Sequence, residues 1–300
     1  MSTFSYWVEA ARLRTLPLSL SGIIVASALA AYNDVFNWSI FILAICTTIS
    51  FQILSNFAND YGDGVKGTDN EDRIGPERAL QSGKITEKAM LKGIKINIVI
   101  SIVLSFGLIV AAFGSSHLLY TLVFFILGLA SIYAAMKYTM GSNAYGYRGL
   151  GDVFVFLFFG LLSVIGGYFL YSKQIDSITF LPACTLGFLS TAVLNLNNMR
   201  DIASDKKANK NTLVVKLGSV KAKKYHYFLI LSAMVLSLLF AVLYYNSIFN
   251  LIFLIAFVPL FIHLKKVQNN TEPVHLDPEL KKVALSTFLL AILFAIGYIL

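Results

Sequence analysis

Apolar runs long enough to cross a lipid bilayer recur along the whole chain, at approximately 17–32, 38–58, 94–113, 118–136, 152–171, 178–198, 227–245, 248–264 and 283–300. A hydrocarbon layer about 30 Å thick is spanned by roughly 20 predominantly apolar residues in helical form. Inside lipid the backbone must satisfy its own hydrogen bonds, so each run reads as a helix. A barrel would need short alternating strands, which continuous apolar runs do not supply. Charged residues make up 13% of the chain, against about 25% in soluble domains. The reading is therefore all-α: a polytopic transmembrane bundle of about nine helices, forming one domain over 1–300 with polar cap loops at about 59–93, 137–151 and 199–226.

Charge placement orients such a bundle. With nine spans and the N-terminus inside, every lysine and arginine except Lys173 falls on one face. Positive charge retained on the cytoplasmic side places the N-terminus in the cytoplasm and the C-terminus outside. Topology thus accounts for the net charge of +8, and nucleic acid is excluded as a partner. Lys221, Lys223, Lys224, Lys265, Lys266, Lys281 and Lys282 read as contacts to anionic membrane lipid. Cys46 and Cys184 fall inside spans and read as small packing residues. The N-terminal segment lacks the order of a cleavable signal and is expected to be retained. Of the histidines, His117 is expected in an outer loop, His263 near a helix end, and His226 and His275 in inner loops, with none beside another.

The cytoplasmic ends of two spans carry acids and amides, which are costly next to hydrocarbon unless compensated. The second span ends in Asn59, Asp60 and Asp63, followed by Asp69, Glu71 and Asp72; the sixth ends in Asn197, Asn198, Asp201 and Asp205. Both spans run in the same direction, so the clusters reach the same depth. If each helix continues past the membrane edge, Asn59 and Asp63, Asn198 and Asp201, and Asp201 and Asp205 stack one turn apart, with Gly62 and Gly64 ending the first helix near Asp63. Facing ladders of oxygen donors repel each other when empty and suit Mg2+, which takes one or two protein carboxylates and completes its shell with water and phosphate. Arg73, Arg78, Lys84, Lys137, Arg148, Arg200, Lys206, Lys207 and Lys210 lie nearby. Guanidinium forks and lysine point charges are phosphate-binding groups. The pattern points to a divalent cation carrying a diphosphate.

These residues resemble the UbiA-type intramembrane aromatic prenyltransferases over essentially the full length. The family's N-D-x-x-D element with a further Asp is matched by Asn59, Asp60, Asp63 and Asp69, its D-x-x-x-D by Asp201 and Asp205, and its Y-x-x-x-K by Tyr133 and Lys137. "RLRTLPLSLSGIIVASALA", "ANDYGDGVKGTD", "GPERALQSG", "YGYRGLGDVFVFLFFG" and "NNMRDIASDKKANKNTLVVKLG" are similar to the branch acting on 1,4-dihydroxy-2-naphthoate in menaquinone biosynthesis. There are two departures: Asp69 follows Asp63 at an offset of six positions where many members have four, and Asn209 replaces a usual glycine.

The resemblance implies a multi-pass enzyme of the inner (cytoplasmic) membrane with its site on the cytoplasmic side. It would transfer a polyprenyl chain from polyprenyl diphosphate to 1,4-dihydroxy-2-naphthoate, with loss of diphosphate and CO2, giving demethylmenaquinone. Mg2+ would be held by Asn59, Asp63, Asn198, Asp201 and Asp205. Asp60, Asp63, Asp201, Asp205, Lys137 and Tyr133 are the expected catalytic set; Asp69, Arg78, Lys84, Arg148, Arg200, Lys206 and Lys210 are the expected substrate contacts, with Arg148 facing the acceptor carboxylate. Tyr61, Tyr133, Tyr138, Tyr145 and Tyr147 offer ring faces to an allylic cation. The tail would leave between helices, where Gly160, Gly166, Gly167 and Gly187 are expected at close helix contacts. Two rivals stand beside this reading. One is the same chemistry on 4-hydroxybenzoate, haem or a chlorophyll precursor. The other is an ion-coupled secondary transporter, whose acids would sit at mid-membrane on broken helices.

Overall fold

A computed structural model describes residues 3–69 and 74–300, so Glu71, Asp72 and Arg73 lie outside the described residues. The helices are α1 (Thr3–Ala11), α2 (Leu16–Tyr32), α3 (Trp38–Val65), α4 (Glu87–Phe113), α5 (Leu118–Lys137), α6 (Gly151–Val155), α7 (Gly167–Ser172), α8 (Phe180–Arg200), α9 (Ile202–Lys207), α10 (Leu213–Leu243), α11 (Phe257–Asn269) and α12 (Asp277–Ile299). A π-type segment, Phe156–Gly166, joins α6 to α7 as one span. No strand occurs among the described residues. Nine helices among them are long and apolar enough to cross a membrane.

Several helices run well beyond their apolar windows because local caps start them in polar sequence. The side chain of Thr86 accepts from the amide of Ala89 and begins α4 ahead of Lys88 and Lys92. Thr212 does the same for α10 through Val215. Each satisfies an amide that the first turn leaves open. Helix α1 forms the first part of the first span and joins α2 through a bend where Arg12 has φ 50° and ψ 54°, a left-handed conformation. Trp7 anchors α1 by packing edge-on to Phe57 at 5.3 Å between ring centroids.

The most buried spans are α2, α8 and α12. Helix α8 packs against α10, the π segment and α12, and α12 returns to lie along α2. The main core runs through these contacts, with Leu29, Leu186, Leu189, Phe240, Leu260 and Leu290 among its members, and a smaller core gathers α1, α3 and α4 around Leu54, Phe57 and Met90. Of the flagged glycines, Gly160 and Gly187 sit at a helix crossing: a Cβ on Gly160 would lie 2.6 Å from both the Ala183 carbonyl and the Gly187 Cα. Gly167 packs on Ala26.

Two expectations are corrected by the fold. The second acidic ladder is not one helix: α8 ends at Arg200, Asp201 has φ −96° and ψ 13°, and α9 begins afresh at Ile202. His226 is not in a loop but buried within α10, and its Nε2 lies 2.7 Å from Nε2 of His263. Packing of α10 on α11 brings these residues together, a pairing that sequence separation conceals.

Candidate active site

Helix α3 presents two faces at its tip. Asn56 and Asp60 turn toward α1. Asn56 donates to the Ala11 carbonyl at 2.8 Å, and Asp60, 1% exposed, pairs with Arg12 and lies 3.7 Å from Arg78 Nε. Asn59 and Asp63, on the other face, turn toward the segment that follows α5. A Cβ at Gly62 would collide with Thr139; the glycine lets the α3 tip press against that segment. There Thr139 Oγ1 lies 3.0 Å from the Ala58 carbonyl and 3.3 Å from Asn59 Oδ1. Asp69 is also buried, with a carboxylate oxygen 4.0 Å from Arg78.

Asp63 is the meeting point. Tyr147, from the turn after α5, donates its phenol to Asp63 Oδ1 at 2.7 Å. Because that proton is committed, Thr68 must be the donor in its 2.5 Å contact with the Tyr147 oxygen. Lys210 arrives from beyond α9, its Nζ 3.5 Å from Asp63 Oδ2 and 3.7 Å from Asp205 Oδ1. The local chain fixes it there: Asn209 takes φ 55°, and the Lys210 amide donates to the Asp205 carbonyl at 2.8 Å. Left-handed backbone favours glycine or asparagine, which accounts for Asn209 in the place of glycine. Two carboxylates, one from α3 and one from α9, thus share one ammonium.

The electrostatics follow from this enclosure. Burial alone would lower the Lys210 pKa, but Asp63 and Asp205 outweigh it and hold the ammonium charged, above the ordinary lysine range. Tyr147 is pushed up by burial and by the Asp63 charge. Tyr138 is pushed up chiefly by burial, with Lys210 opposing. Lys66 donates to the Thr139 carbonyl at 2.6 Å and sits 4.0 Å over the Tyr147 ring; burial lowers it, and Asp63 opposes. The Tyr145 ring stacks on Phe154 at 4.0 Å.

Beneath the cluster lies a chamber of about 360 Å³ within the membrane-spanning part. Asn59 and Tyr138 line it, linking it to the acids. Its lining from α3 includes Thr48, Gln52 and Ser55, and its lining from α6 and the π segment includes Phe154, Phe158 and Phe159.

Other expected site residues are placed differently. Arg200 clasps Asp201 with Nε and Nη2 at 2.8 and 2.6 Å, and its Nη1 reaches Asp277 at 2.6 Å. Asn198 is buried near the end of α8. Lys84 is exposed and pairs with Glu9 at 3.0 Å. Lys206 and Arg148 are exposed. Tyr133 is 60% exposed, with Lys137 Nζ 6.0 Å from its ring centroid. The structure therefore joins Asp63, Asp205 and Lys210 into one cluster with Asn59 on the same face of α3, sets Asp60, Asp69 and Arg78 in a second beside Arg12, and Arg200 with Asp201 in a third. Among the described residues no group of three His, Cys, Asp or Glu side chains forms a ready metal cage.

The sequence profile of the UbiA prenyltransferase family matches residues 19–275. The chain belongs to this family. Among UbiA relatives, the 1,4-dihydroxy-2-naphthoate octaprenyltransferase of Escherichia coli is 43% identical over 291 residues, covering 97% of this chain and 94% of that one. The enzyme of the same name from Haemophilus influenzae is also 43% identical, over 293 residues, with the same coverage. A UbiA homolog from Archaeoglobus fulgidus, solved bound to DMAPP and Mg2+, superimposes with a TM-score of 0.65 at 14% identity, covering 96% of this chain and 98% of its own. The apo UbiA homolog from Aeropyrum pernix gives 0.67 at 15% identity, covering 92% and 97%. The UbiA fold thus holds across low identity. Among the contributors that escaped the sequence reading are Arg12, Thr139 and Asp277. Arg12 was marked only by its position before the first span, Thr139 by following Tyr138, and Asp277 by nothing local.

Proposed function

We propose that this chain transfers a polyprenyl group from polyprenyl diphosphate to 1,4-dihydroxy-2-naphthoate, releasing diphosphate and CO2. The observation that carries this reading is the convergence of Asp63 and Asp205 on one ammonium beside a largely apolar chamber that Asn59 and Tyr138 also line. Identity of 43% across nearly the full length to two enzymes named for that reaction sets the acceptor. The transporter reading loses support, because the acids lie at helix ends and not at mid-membrane breaks.

The donor set suits Mg2+: all its groups are oxygens, and two carboxylates already gather about a positive charge. Asn59, Asp63, Asn198, Asp201 and Asp205 would hold it, Asp201 after leaving Arg200. Bound there, the cation neutralises the diphosphate and improves it as a leaving group. Lys210 and Lys66, with Arg78 at the rim, supply further positive charge toward the oxygens on which negative charge develops. The allylic C–O bond breaks with its electron pair leaving on diphosphate. The ring carbon bearing the carboxylate supplies the pair for the new C–C bond; CO2 departs and the ring regains aromaticity, giving demethylmenaquinone at the quinol level. Tyr138, Tyr145 and the phenylalanine wall shield the electron-poor carbon from water. Gln52, Ser55 and Asn59 offer hydrogen-bond partners to a hydroxylated ring in the chamber; Arg148, exposed outside it, would have to move to meet the carboxylate.

The same proposal puts the site on the cytoplasmic side of the inner membrane and treats residues 1–300 as one functional domain. The test is transfer by purified protein in detergent with 1,4-dihydroxy-2-naphthoate or 4-hydroxybenzoate, with and without chelator. Product is expected from the naphthoate only, and only with Mg2+. Asp63→Ala and Asp201→Ala should each abolish transfer while leaving the protein monodisperse. Preference for hydroxybenzoate, or transfer that survives chelation, would overturn the reading.

A further inference from the structure

Asp201 is neutralised as it stands. Both of its oxygens are forked by Arg200, whose side chain is 4% exposed. The fork occupies one lone pair on each oxygen and neutralises the carboxylate, so Asp201 is a weak cation ligand until the fork loosens, and a buried guanidinium left without a counter-charge is costly. Something must hold Arg200 when Asp201 turns away.

Two groups are already in place. Asn197 Oδ1 accepts from Nη2 at 2.9 Å, and Asp277 Oδ1 accepts from Nη1 at 2.6 Å. Only Asp277 brings charge. It lies 77 residues from Arg200 and belongs to neither acidic motif. Its place is fixed from below: Asp277 begins α12, and Glu279, two residues on, is buried and anchored. Glu279 Oε2 lies 2.6 Å from His263 Nδ1, Oε1 accepts from Lys282 at 2.7 Å, and Lys266 lies 3.4 Å away. His263 in turn contacts His226 of α10. The start of α12 is thus tied to α10 and α11, and the carboxylate it offers Arg200 is held in position.

We propose that Asp277 is a positioning residue for divalent-cation binding. It retains Arg200 while Asp201 exchanges the fork for the cation, so Asp201 is released without stranding a buried positive charge. This rests on the reading of Asp201 as a cation ligand. Removing Asp277 leaves Asp201 as the nearest carboxylate for Arg200, tightens the fork, and removes negative charge from the neighbourhood of the cation. Both effects weaken cation binding.

The experiment titrates the full-length protein in detergent with Mn2+ in the presence of inorganic pyrophosphate, following bound Mn2+ by electron paramagnetic resonance; Mg2+ activation of transfer is measured alongside. Asp277→Asn is expected to raise both midpoints roughly fivefold, the scale of one partly exposed charge pair, with kcat at saturating Mg2+ near wild type and with Asp277→Glu restoring the midpoints. Asp201→Asn is expected to abolish the same Mn2+ signal. If Asp201→Asn binds Mn2+ as wild type does, the ligand reading fails and the proposal with it. If Asp201→Asn loses binding while Asp277→Asn keeps the wild-type midpoint, the proposal alone is overturned. A fall in kcat without a shift in midpoint, or no rescue by glutamate, marks a merely structural role and also overturns it.

Discussion

Lys210 lies 3.5 Å from Asp63 and 3.7 Å from Asp205, and its removal should be felt in both catalysis and stability. Lys210→Met is expected to lower transfer on the order of 100-fold, the scale of losing one preorganised charge at developing negative charge. Its folded pKa is raised, so its contribution to stability is whole below the unfolded lysine value of about 10.4. That contribution is lost as pH climbs through the folded value. The melting temperature of wild type should therefore fall more steeply than that of Lys210→Met above about pH 10; parallel curves would contradict this. One residue earlier, Asn209 at φ 55° should accept glycine with little change, whereas Asn209→Val should cost about 1–2 kcal/mol, read from the same melting curves. The resemblance marked Asn209 as unusual, but its backbone conformation needed coordinates.

At the scale of helices, what could be read from sequence depended on range. Hydrocarbon demands long apolar runs, so all nine spans were visible; their true starts were set by Thr86 and Thr212, short-range signals that hydropathy ignores. Partner choice was not visible. Asp60 meets Arg12 across 48 residues and His226 meets His263 across 37, and neither separation carries a periodic signature. The ladder drawn across Asn198, Asp201 and Asp205 assumed a helix that breaks at Asp201. Two substitutions probe these elements. Gly160→Leu must push against the Ala183 carbonyl and Gly187 Cα at 2.6 Å and is expected to prevent close packing of the π segment on α8, seen as loss of monodisperse protein. Gly107, whose Cβ would meet only Leu43 at 3.7 Å, is the matched site expected to tolerate alanine. Glu279→Gln removes the charge from a buried carboxylate serving His263 and Lys282 and should cost about 1–3 kcal/mol, measured by thermal melting.

For the molecule as a whole, the distribution of basic residues predicts sidedness. In a background lacking Cys46 and Cys184, Gln174→Cys should react with a membrane-impermeant maleimide on intact cells, and Lys221→Cys only after permeabilisation; the reverse pattern would invert the topology. The shared position of Lys210 also has a kinetic consequence. A covalently attached competitor never diffuses away, and its local concentration far exceeds that of free ions in solution. If Asp63 and Asp205 hold the metal as proposed, divalent metal arriving alone would have to displace this tethered ammonium and would gain little. Metal arriving already complexed with diphosphate supplies new anionic oxygens to receive the lysine as it is displaced. Metal and prenyl donor should therefore load as a single complex, and isolated Mg2+ should bind far more weakly than Mg2+ offered with pyrophosphate.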